Sequence, residues 1–362
     1  MIAGKRRRWL GVVLLLTTML VLLYWQRAAV SLLLVQRGID EITANADPIA
    51  QLDDALYLGI CGAGSPMTDE RRAGPCTVVI AGKRMFVFDT GAGSAARILR
   101  MQLNPAQIDA VFLTHYHSDH IDGLGELLMQ RWVGAAAEEP VEVYGPEGLG
   151  RVVAGFREAY LQDQSYRTLH HGEDLAPTTG FGAISREFDS PKKGESVILL
   201  SDETTEIRAF LVDHGPVKPA VGYRVRYRDR SLVISGDTAF SEELINQAKG
   251  ADLLLHEAMS MKMVELLERG FDRHGRSRYA QLMRDIRNYH SSPEEAAQVA
   301  SAAGVGHLVL HHIVPPLPLE TLRDEFLGRA ESIFSGPIDV SRDGDWYQLP
   351  LGSTAIVRSH RP

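Results

Sequence analysis

Three histidines and an aspartate, His115, His117, Asp119 and His120, fall within six residues of one another in Thr114-His115-Tyr116-His117-Ser118-Asp119-His120. Imidazoles and a carboxylate crowded this closely repel or desolvate one another unless something binds them. A divalent metal ion, or a pair, is the economical answer. The apolar run Ala110-Val111-Phe112-Leu113 stands directly before them. It reads as a buried strand that delivers a polar loop at its carboxyl end. The bland alternative is a hydrogen-bonded loop with a chance excess of histidine.

The same arrangement recurs along the chain. Met85-Phe86-Val87-Phe88 leads into Asp89-Thr90-Gly91-Ala92-Gly93, a carboxylate followed by a glycine turn. Beside the histidine cluster, Asp89 suggests a carboxylate that orients metal ligands from behind. His214 lies in Asp213-His214-Gly215-Pro216, and alone it would pass for a structural histidine. Asp237 sits in Ser235-Gly236-Asp237-Thr238 at the end of another apolar run, and Leu253-Leu254-Leu255 leads to His256-Glu257-Ala258. His307-Leu308-Val309-Leu310-His311-His312 reads as a last strand with histidines at its exit, and Pro315, Pro316 and Pro318 forbid its continuation. One such case means little. The repetition gathers polar residues on one rim of a sheet sandwich.

Other elements must hold these strand ends in place. Strands are expected at 57–60, 77–80 and 141–144, with a meander at 196–200, 206–212, 221–227 and 231–234. Helices are expected at 121–132, 149–161 and through 259–288. The last stretch carries Lys262, Arg269, Arg273, Arg276, Arg278, Arg284 and Arg287. It reads either as a solvated helix pair or as a lid whose arginines meet an anionic substrate. Ser292, Pro293, Glu294 and Glu295 form a strong helix start, which would hold His290 rigidly just before it. That helix should end near Gly304.

With 45% hydrophobic and 23% charged residues, the 362-residue chain fits one large domain or two small ones. Its two cysteines, Cys61 and Cys76, exclude a cysteine-based structural zinc site. They could close a disulfide worth about 3 kcal/mol in an oxidising compartment, or stay as two buried thiols. The net charge is −8 even with Lys5, Arg6, Arg7 and Arg8 counted, so the chain is not built to attract polyanions non-specifically. That leaves room for a local basic pocket. Trp9 to Trp25 carry no charge; a basic run precedes them and an aromatic pair ends them. This fits an N-terminus held in the cytoplasm and a chain crossing outward, near the lower length limit for a span. No small-x-small site directly follows Trp25, so an uncleaved anchor is favoured over a cleaved signal. The expected organisation is a signal-anchor at 1–27, a linker helix at 28–54 and a folded domain at 55–362. That domain would be anchored to the inner membrane and face the periplasm, or be secreted if the signal were cleaved.

Taken in this order, the residues resemble the metallo-β-lactamase fold superfamily over roughly 55–315. The His-x-His-x-Asp-His signature is carried by His115, His117, Asp119 and His120. The resemblance implies an α/β fold, an αββα sandwich, here preceded by one transmembrane helix. It places later ligands on His214, Asp237 and His312; His312 is chosen over His311 because it precedes Ile313. One zinc would then be held by His115, His117 and His214, and a second by Asp119, His120 and His312, with Asp237 between them. Mn2+ or Fe2+ could take their place. Asp237 stands where common β-lactamases have Cys. His256-Glu257-Ala258 with His290-Ser291-Ser292-Pro293 resembles the ribonuclease Z group and its arylsulfatase-like relatives, as do Gly62-Ala63-Gly64-Ser65-Pro66 and Gly222-Tyr223-Arg224.

Two departures bear on the branch. Residues 145–195 show no long basic glycine-rich arm of the kind with which ribonuclease Z grips tRNA. The segment from Glu257 to His290 is also longer than in that group. Tyr160, Asp163, Tyr166, Arg167, His170 and His171 look more like the exported arylsulfatase-like branch. The resemblance implies an ester hydrolase using hydroxide generated on the metals. Asp119 would serve as ligand and orienting base, His290 as proton donor to the departing oxygen, Glu257 as the holder of its imidazole, and Asp89 as support. The expected substrate is a small anionic ester, an aryl or alkyl sulfate or a phosphodiester. The alternatives are a ribonuclease Z-like tRNA 3′-processing endonuclease, a lactonase and a non-catalytic metal-binding protein. The export signal, net charge and missing arm weigh against a nucleic acid partner. The membrane is an expected partner through the N-terminal helix, and a homodimer is left open.

Overall fold

Residues 2–44 and 47–361 are described by a computed structural model, without the side chains of 2–8 and 41–44. The chain divides into two compact units, Met1–Pro48 and Ile49–Pro362. The first unit is two helices, α1 (Ile2–Trp25) and α2 (Arg27–Ala44). The hydroxyls of Thr17 and Thr18 bond back to the carbonyls of Val13 and Leu14, so they add no unpaired polar group to the apolar run. Among the described residues no single helix is long and apolar enough to cross a membrane. Only Trp9–Trp25 and Arg27–Asp40 together meet that test, as a pair bent by 70°. The expected single spanning helix is therefore not found, and the side chains of Lys5 to Arg8 lie outside the described residues.

In the second unit the apolar runs become two sheets packed face to face. One sheet contains β1 (Ala55–Gly62), β2 (Cys76–Ala81), β3 (Arg84–Thr90), β4 (Ile108–Phe112), β5 (Val141–Gly145) and β6 (Ala183–Glu187). The other contains β7 (Ser196–Ser201), β8 (Thr205–Leu211), β9 (Val221–Tyr227), β10 (Arg230–Ile234), β11 (Leu253–Met259), β12 (His307–Val314) and β13 (Ile338–Val340). The chain's last strands, β14 (Asp345–Pro350) and β15 (Val357–His360), return to the first sheet beside β1. In each sheet the site-bearing strands run parallel, β3–β4–β5 in one and β10–β11–β12 in the other. Parallel strands present their carboxyl ends on one rim, which is how separate sequence motifs come together.

Strands β1 and β2 are buried at every position, as expected of strands covered on both faces. Between the sheets lie Leu56, Leu58, Phe86, Phe88, Phe112, Tyr223, Leu255 and Val309. The rings of Phe88, Phe112 and Tyr144 stack in series with centroids 4.9 Å apart. Outside the first sheet pack α3 (Ser94–Arg100), the single turn α4 (Ser118–Ile121), α5 (Leu124–Ala135) and α6 (Leu149–His171). Outside the second pack α7 (Glu242–Ala248), α10 (Pro293–Ala303), α11 (Arg323–Leu327) and α12 (Ala330–Ile333). The result is the αββα order of layers.

Three local features refine the sequence expectation, and among them the helix pair expected over 259–288 is found. Helix α6 continues ten residues past 161 and stops at Gly172, whose φ of +82° suits glycine. The stretch 259–288 breaks at Gly275 into a hairpin, α8 (Met261–Arg273) and α9 (Ser277–Ile286). The tail, which showed no motif, supplies Asp343. Its carboxylate accepts the Ala63 and Ala73 N–H groups and pairs with Arg97 at 3.0 Å, fixing the loop that enters the rim. Cys61 and Cys76, left open by the sequence, form a disulfide with both residues fully buried.

Candidate metal centre

At the end of β3, Asp89 is held at φ +55°, a left-handed conformation that costs a non-glycine residue on the order of 1–3 kcal/mol. The strain aims its carboxylate at the next strand's loop. One oxygen accepts the Thr114 N–H at 2.8 Å. The other accepts the Thr114 hydroxyl at 2.8 Å and faces His120 Nδ1 at 2.8 Å. A Cβ at Gly91 would lie 2.4 Å from the Asp119 carbonyl oxygen, so the turn after Asp89 must be glycine for the two loops to touch.

The histidine loop leaves β4 and turns into α4. His115 Nδ1 is fixed by Thr114 Oγ1 at 3.0 Å and His214 Nδ1 by the Tyr289 carbonyl at 3.0 Å. His115, His120, His214 and His312 therefore turn Nε2 inward, whereas His117 offers Nδ1. His115 Nε2 and His117 Nδ1 are 3.0 Å apart, and His214 Nε2 is 3.4 Å from His117 Nδ1. Ring nitrogens in mutual contact cannot all be satisfied by shared protons, and a cation resolves the conflict.

Asp237 occupies the middle. Its Oδ2 lies 3.3 Å from His120 and His312 Nε2, 3.9 Å from His214 Nε2 and 4.0 Å from His115 Nε2. Asp119 Oδ2 is 3.3 Å from His312 Nε2 and 3.6 Å from His120 Nε2. Two groups emerge: His115, His117, His214 and Asp237, and then Asp119, His120 and His312, with Asp237 in reach of both. Among the described residues Asp237 Oδ1 is buried without a hydrogen-bond partner, and buried His120 Nε2 faces only the two carboxylates at 3.3 and 3.6 Å. Orphaned donors of this type, all N and O, fit divalent cations.

His312 reaches the site through a fault in the sheet. Glu257 pairs with His311 and Ala258 with Ile313, so His312 is the extra residue of a bulge, at φ +48°. His311 points elsewhere and stays outside both groups; burial and the neighbouring His312 and His120 push its imidazole down to about 3.

Electrostatics agree with a site that expects positive charge. Burial raises the Asp237 carboxyl, but His312 and His120 outweigh it and hold the group well below the usual carboxylate range. Burial lowers His120, but Asp237, Asp89 and Asp119 overcome it and raise the imidazole well above its ordinary value. His115, with burial and His120 both acting against its charged form, is driven far down.

Glu257 and His290 lie beside the cluster. Glu257 is 2% exposed, and its Oε1 accepts the Thr238 and Ser291 N–H groups at 3.1 Å and faces His290 Nδ1 at 2.9 Å. His290 could itself join Asp237 and His312, its ring lying 5.6 Å from that of His312. Burial lowers the His290 imidazole, yet Glu257 and Asp237 push it up to about 9. It therefore keeps its proton at neutral pH. Ser292 caps α10 through a complete capping box with Glu295, which fixes the backbone two residues after His290.

His115, His117, Asp119, His120, His214, Asp237 and His312, with Asp89, Glu257 and His290, thus come together on one rim, while Tyr160, His170 and His171 lie apart on α6. Sequence reasoning missed Thr114, Thr238, Ser291 and the Tyr289 carbonyl, which orient the others. The last three act through backbone groups, which residue type does not reveal.

The chain matches the model of the metallo-beta-lactamase superfamily over residues 69–295. It is 36% identical over 302 residues to a ribonuclease Z of Mycolicibacterium gilvum, covering 83% of this chain and 98% of that protein. A ribonuclease Z of Mycobacterium sp. strain KMS is 36% identical over 289 residues, covering 80% of this chain and 94% of that one. Among solved structures, the short form of human tRNase Z is 21% identical, with a TM-score of 0.56 over 82% of this chain and all of that one. A metallo-beta-lactamase fold protein of Bacillus subtilis is 19% identical, with a TM-score of 0.57 and the same coverage.

These likenesses correct two expectations. The preference for a hydrolase of small sulfate esters is overturned by the 36% identity to ribonuclease Z, whereas the phosphodiester named beside them agrees with it. A metal pair polarises sulfate and phosphate esters alike, so the ligand set never distinguished them. The argument against a nucleic acid partner falls with it. Net charge is a sum over the whole chain, whereas phosphates are met locally.

Proposed function

Because the chain belongs to the metallo-beta-lactamase superfamily, in its ribonuclease Z-like branch, we propose that it is a metal-dependent RNA phosphodiesterase that trims 3′-extended precursor tRNA. The observation that carries the reading is His290 held on Glu257 at 2.9 Å beside the candidate metal ligands of a chain 36% identical to ribonuclease Z.

His115, His117, His214 and Asp237 would hold one ion; Asp119, His120 and His312, sharing Asp237, would hold the other. Nitrogen and carboxylate donors without thiolate suit zinc, with manganese or iron as substitutes. Two such ions, when bound, would supply positive charge for the phosphate oxygens and would make a water acidic enough to attack at neutral pH. His290 donates its proton to the departing ribose oxygen, and Glu257 orients the imidazole and stabilises its charged form. Asp119 also orients the attacking water. Asp89 keeps His120 and Thr114 in place.

The test is cleavage of a 3′-extended precursor tRNA by the full chain. Asp119→Ala should lose metal and activity together. His290→Ala should keep metal and lose rate, most of all with poor leaving groups. Full activity in either variant removes that residue from the mechanism.

Localisation is a separate proposal. The apolar segment in α1 and the Cys61–Cys76 disulfide support attachment to the inner membrane with the enzyme facing an oxidising periplasm, a side on which precursor tRNA is not made, so this reading and the tRNA reading exclude one another. A phosphatase reporter fused after residue 362 should be active on that side, and an inactive one rejects the assignment.

A further inference from the structure

The α8–α9 hairpin has two electrostatic parts. Its base is apolar: Val264 and Met283 pack with Met259 and Val314, flanked by Phe271 and Ile286. Along its stems every basic residue has an acid. Arg269 pairs with Glu265 at 2.5 Å, Arg284 with Glu268 at 3.0 Å and Asp272 at 3.2 Å, Arg287 with Glu268 at 2.5 Å, and Lys262 with Glu325 at 2.5 Å. The lid reading of these stem arginines therefore fails, because their charge is already answered.

The tip, Arg273-His274-Gly275-Arg276-Ser277-Arg278, is different. All six residues are exposed. No acid lies between Asp272 and Asp285 in the sequence. Arg273, Arg276 and Arg278 have no carboxylate partner among the described residues. Arg276 lies over the Tyr279 ring at 4.3 Å and near Phe271 at 5.3 Å. Stacking of this kind fixes the guanidinium plane and leaves its N–H edge free, which pre-organises it for a phosphate. In a chain of net charge −8, three unpaired guanidinium groups within six residues are a local exception.

The base of the hairpin adjoins the site. Ser260 caps α8 directly after Met259, whose N–H bonds the Ser291 carbonyl next to His290. At about 1.5 Å per residue, the 13 residues of α8 carry the tip about 20 Å away. A duplex rises about 3 Å per base pair, so the tip can reach backbone up to about six or seven pairs from the scissile phosphate. We propose that Arg273, Arg276 and Arg278 form a second RNA contact, binding backbone phosphates in the duplex part of the substrate. This rests on the RNA reading of the metal centre. An anionic membrane fits less well. The exposed Leu266 and Leu282 lie on the stems, and the tip that would arrive first carries no apolar side chain to insert.

Three phosphate contacts set the expected effect. Each contributes about fivefold in affinity between 1 M and 0.15 M salt, hence on the order of 10²-fold for three. The experiment compares the full chain with an Arg273→Ala/Arg276→Ala/Arg278→Ala variant on precursor tRNA and on bis(p-nitrophenyl) phosphate across a salt series. The variant should raise KM for the RNA by about 10²-fold at 0.15 M salt and reduce the log–log salt slope by about 3. Its kcat/KM for the small diester should stay unchanged, which also shows that it folds. Arg276→Lys should fall between, keeping charge but losing the stacked fork. An unchanged KM and slope in a chain whose wild type cuts RNA overturns the tip contact alone. A wild type that cleaves the small diester but no RNA overturns the RNA reading, and the tip contact with it. Binding to phosphatidylserine vesicles that the triple variant loses, with RNA kinetics unaltered, overturns it in favour of a membrane surface.

Discussion

Glu257→Gln separates the two jobs assigned to that side chain. Glu257 Oε1 takes three hydrogen bonds, from His290, Thr238 and Ser291, while Oε2 has no partner. A glutamine can keep its oxygen in the first position and place its amide at the second, so geometry is retained and only the charge is lost. With that charge gone, the largest upward push is lost and the His290 imidazole falls from about 9 toward its ordinary 6.5. A proton donor works while protonated, so activity is present below this pKa and is lost as pH rises through it. At pH 8 the protonated fraction drops from about 90% toward about 3%, a loss of kcat/KM of up to roughly 30-fold. At pH 6 the loss is under about twofold if the new value lies just under 6.5. Cations that neutralise Asp237 remove one upward push and lower both limbs, but their separation remains. The assay is kcat/KM for precursor tRNA from pH 5.5 to 9.5, with metal content measured in parallel. Bis(p-nitrophenyl) phosphate, whose leaving group needs little protonation, should be far less affected. A Glu257→Gln profile that superimposes on the wild type would refute the proton-donor assignment.

The remaining expectations concern the metals and their supports. Asp237→Ala removes the carboxylate shared by both groups, so bound metal should fall below two ions per chain by elemental analysis, with an activity loss of about 10³-fold or more. Chelation should lower the thermal midpoint of the wild type, since each ion at a hundred times its Kd contributes about 2.7 kcal/mol to the folded state. Asp89→Asn cannot accept from Thr114 N, Thr114 Oγ1 and His120 Nδ1 as a carboxylate does, and metal affinity should fall about 10- to 100-fold in a dye competition titration. Ser292→Ala breaks the capping box of α10 and should cost about 1 kcal/mol, read as a calorimetric Tm shift of about −2 to −4 °C.

The strand ends and their ligands were legible because each motif couples an apolar run to a polar residue, a signal that survives in one dimension. His214 looked like a lone structural histidine because its partners lie about a hundred residues away, with its ring nitrogen 3.4 Å from His117. The bulge that admits His312 was not legible, since it is a register shift between β11 and β12 and not a residue type. Asp343 was passed over for the same reason: its two N–H donors, Ala63 and Ala73, lie some 270 to 280 residues earlier. The substrate class was misread because bulk charge outweighed local arrangement. The stems of α8 and α9 hide a neutralised set of arginines, and only the hairpin geometry separates them from the three at the tip.

The central claim is that water, activated at this site, cleaves an RNA phosphodiester while His290 protonates the departing oxygen. The direct measurement is digestion of 3′-extended precursor tRNA by the full chain in ¹⁸O-labelled water, with and without chelator, followed by mass analysis of the product ends. The account requires one ¹⁸O atom in the new terminal phosphate, no 2′,3′-cyclic phosphate, and complete loss of cleavage on chelation with recovery on adding zinc. Uncut RNA from a chain carrying its full complement of metal, or a cyclic phosphate product, would contradict it.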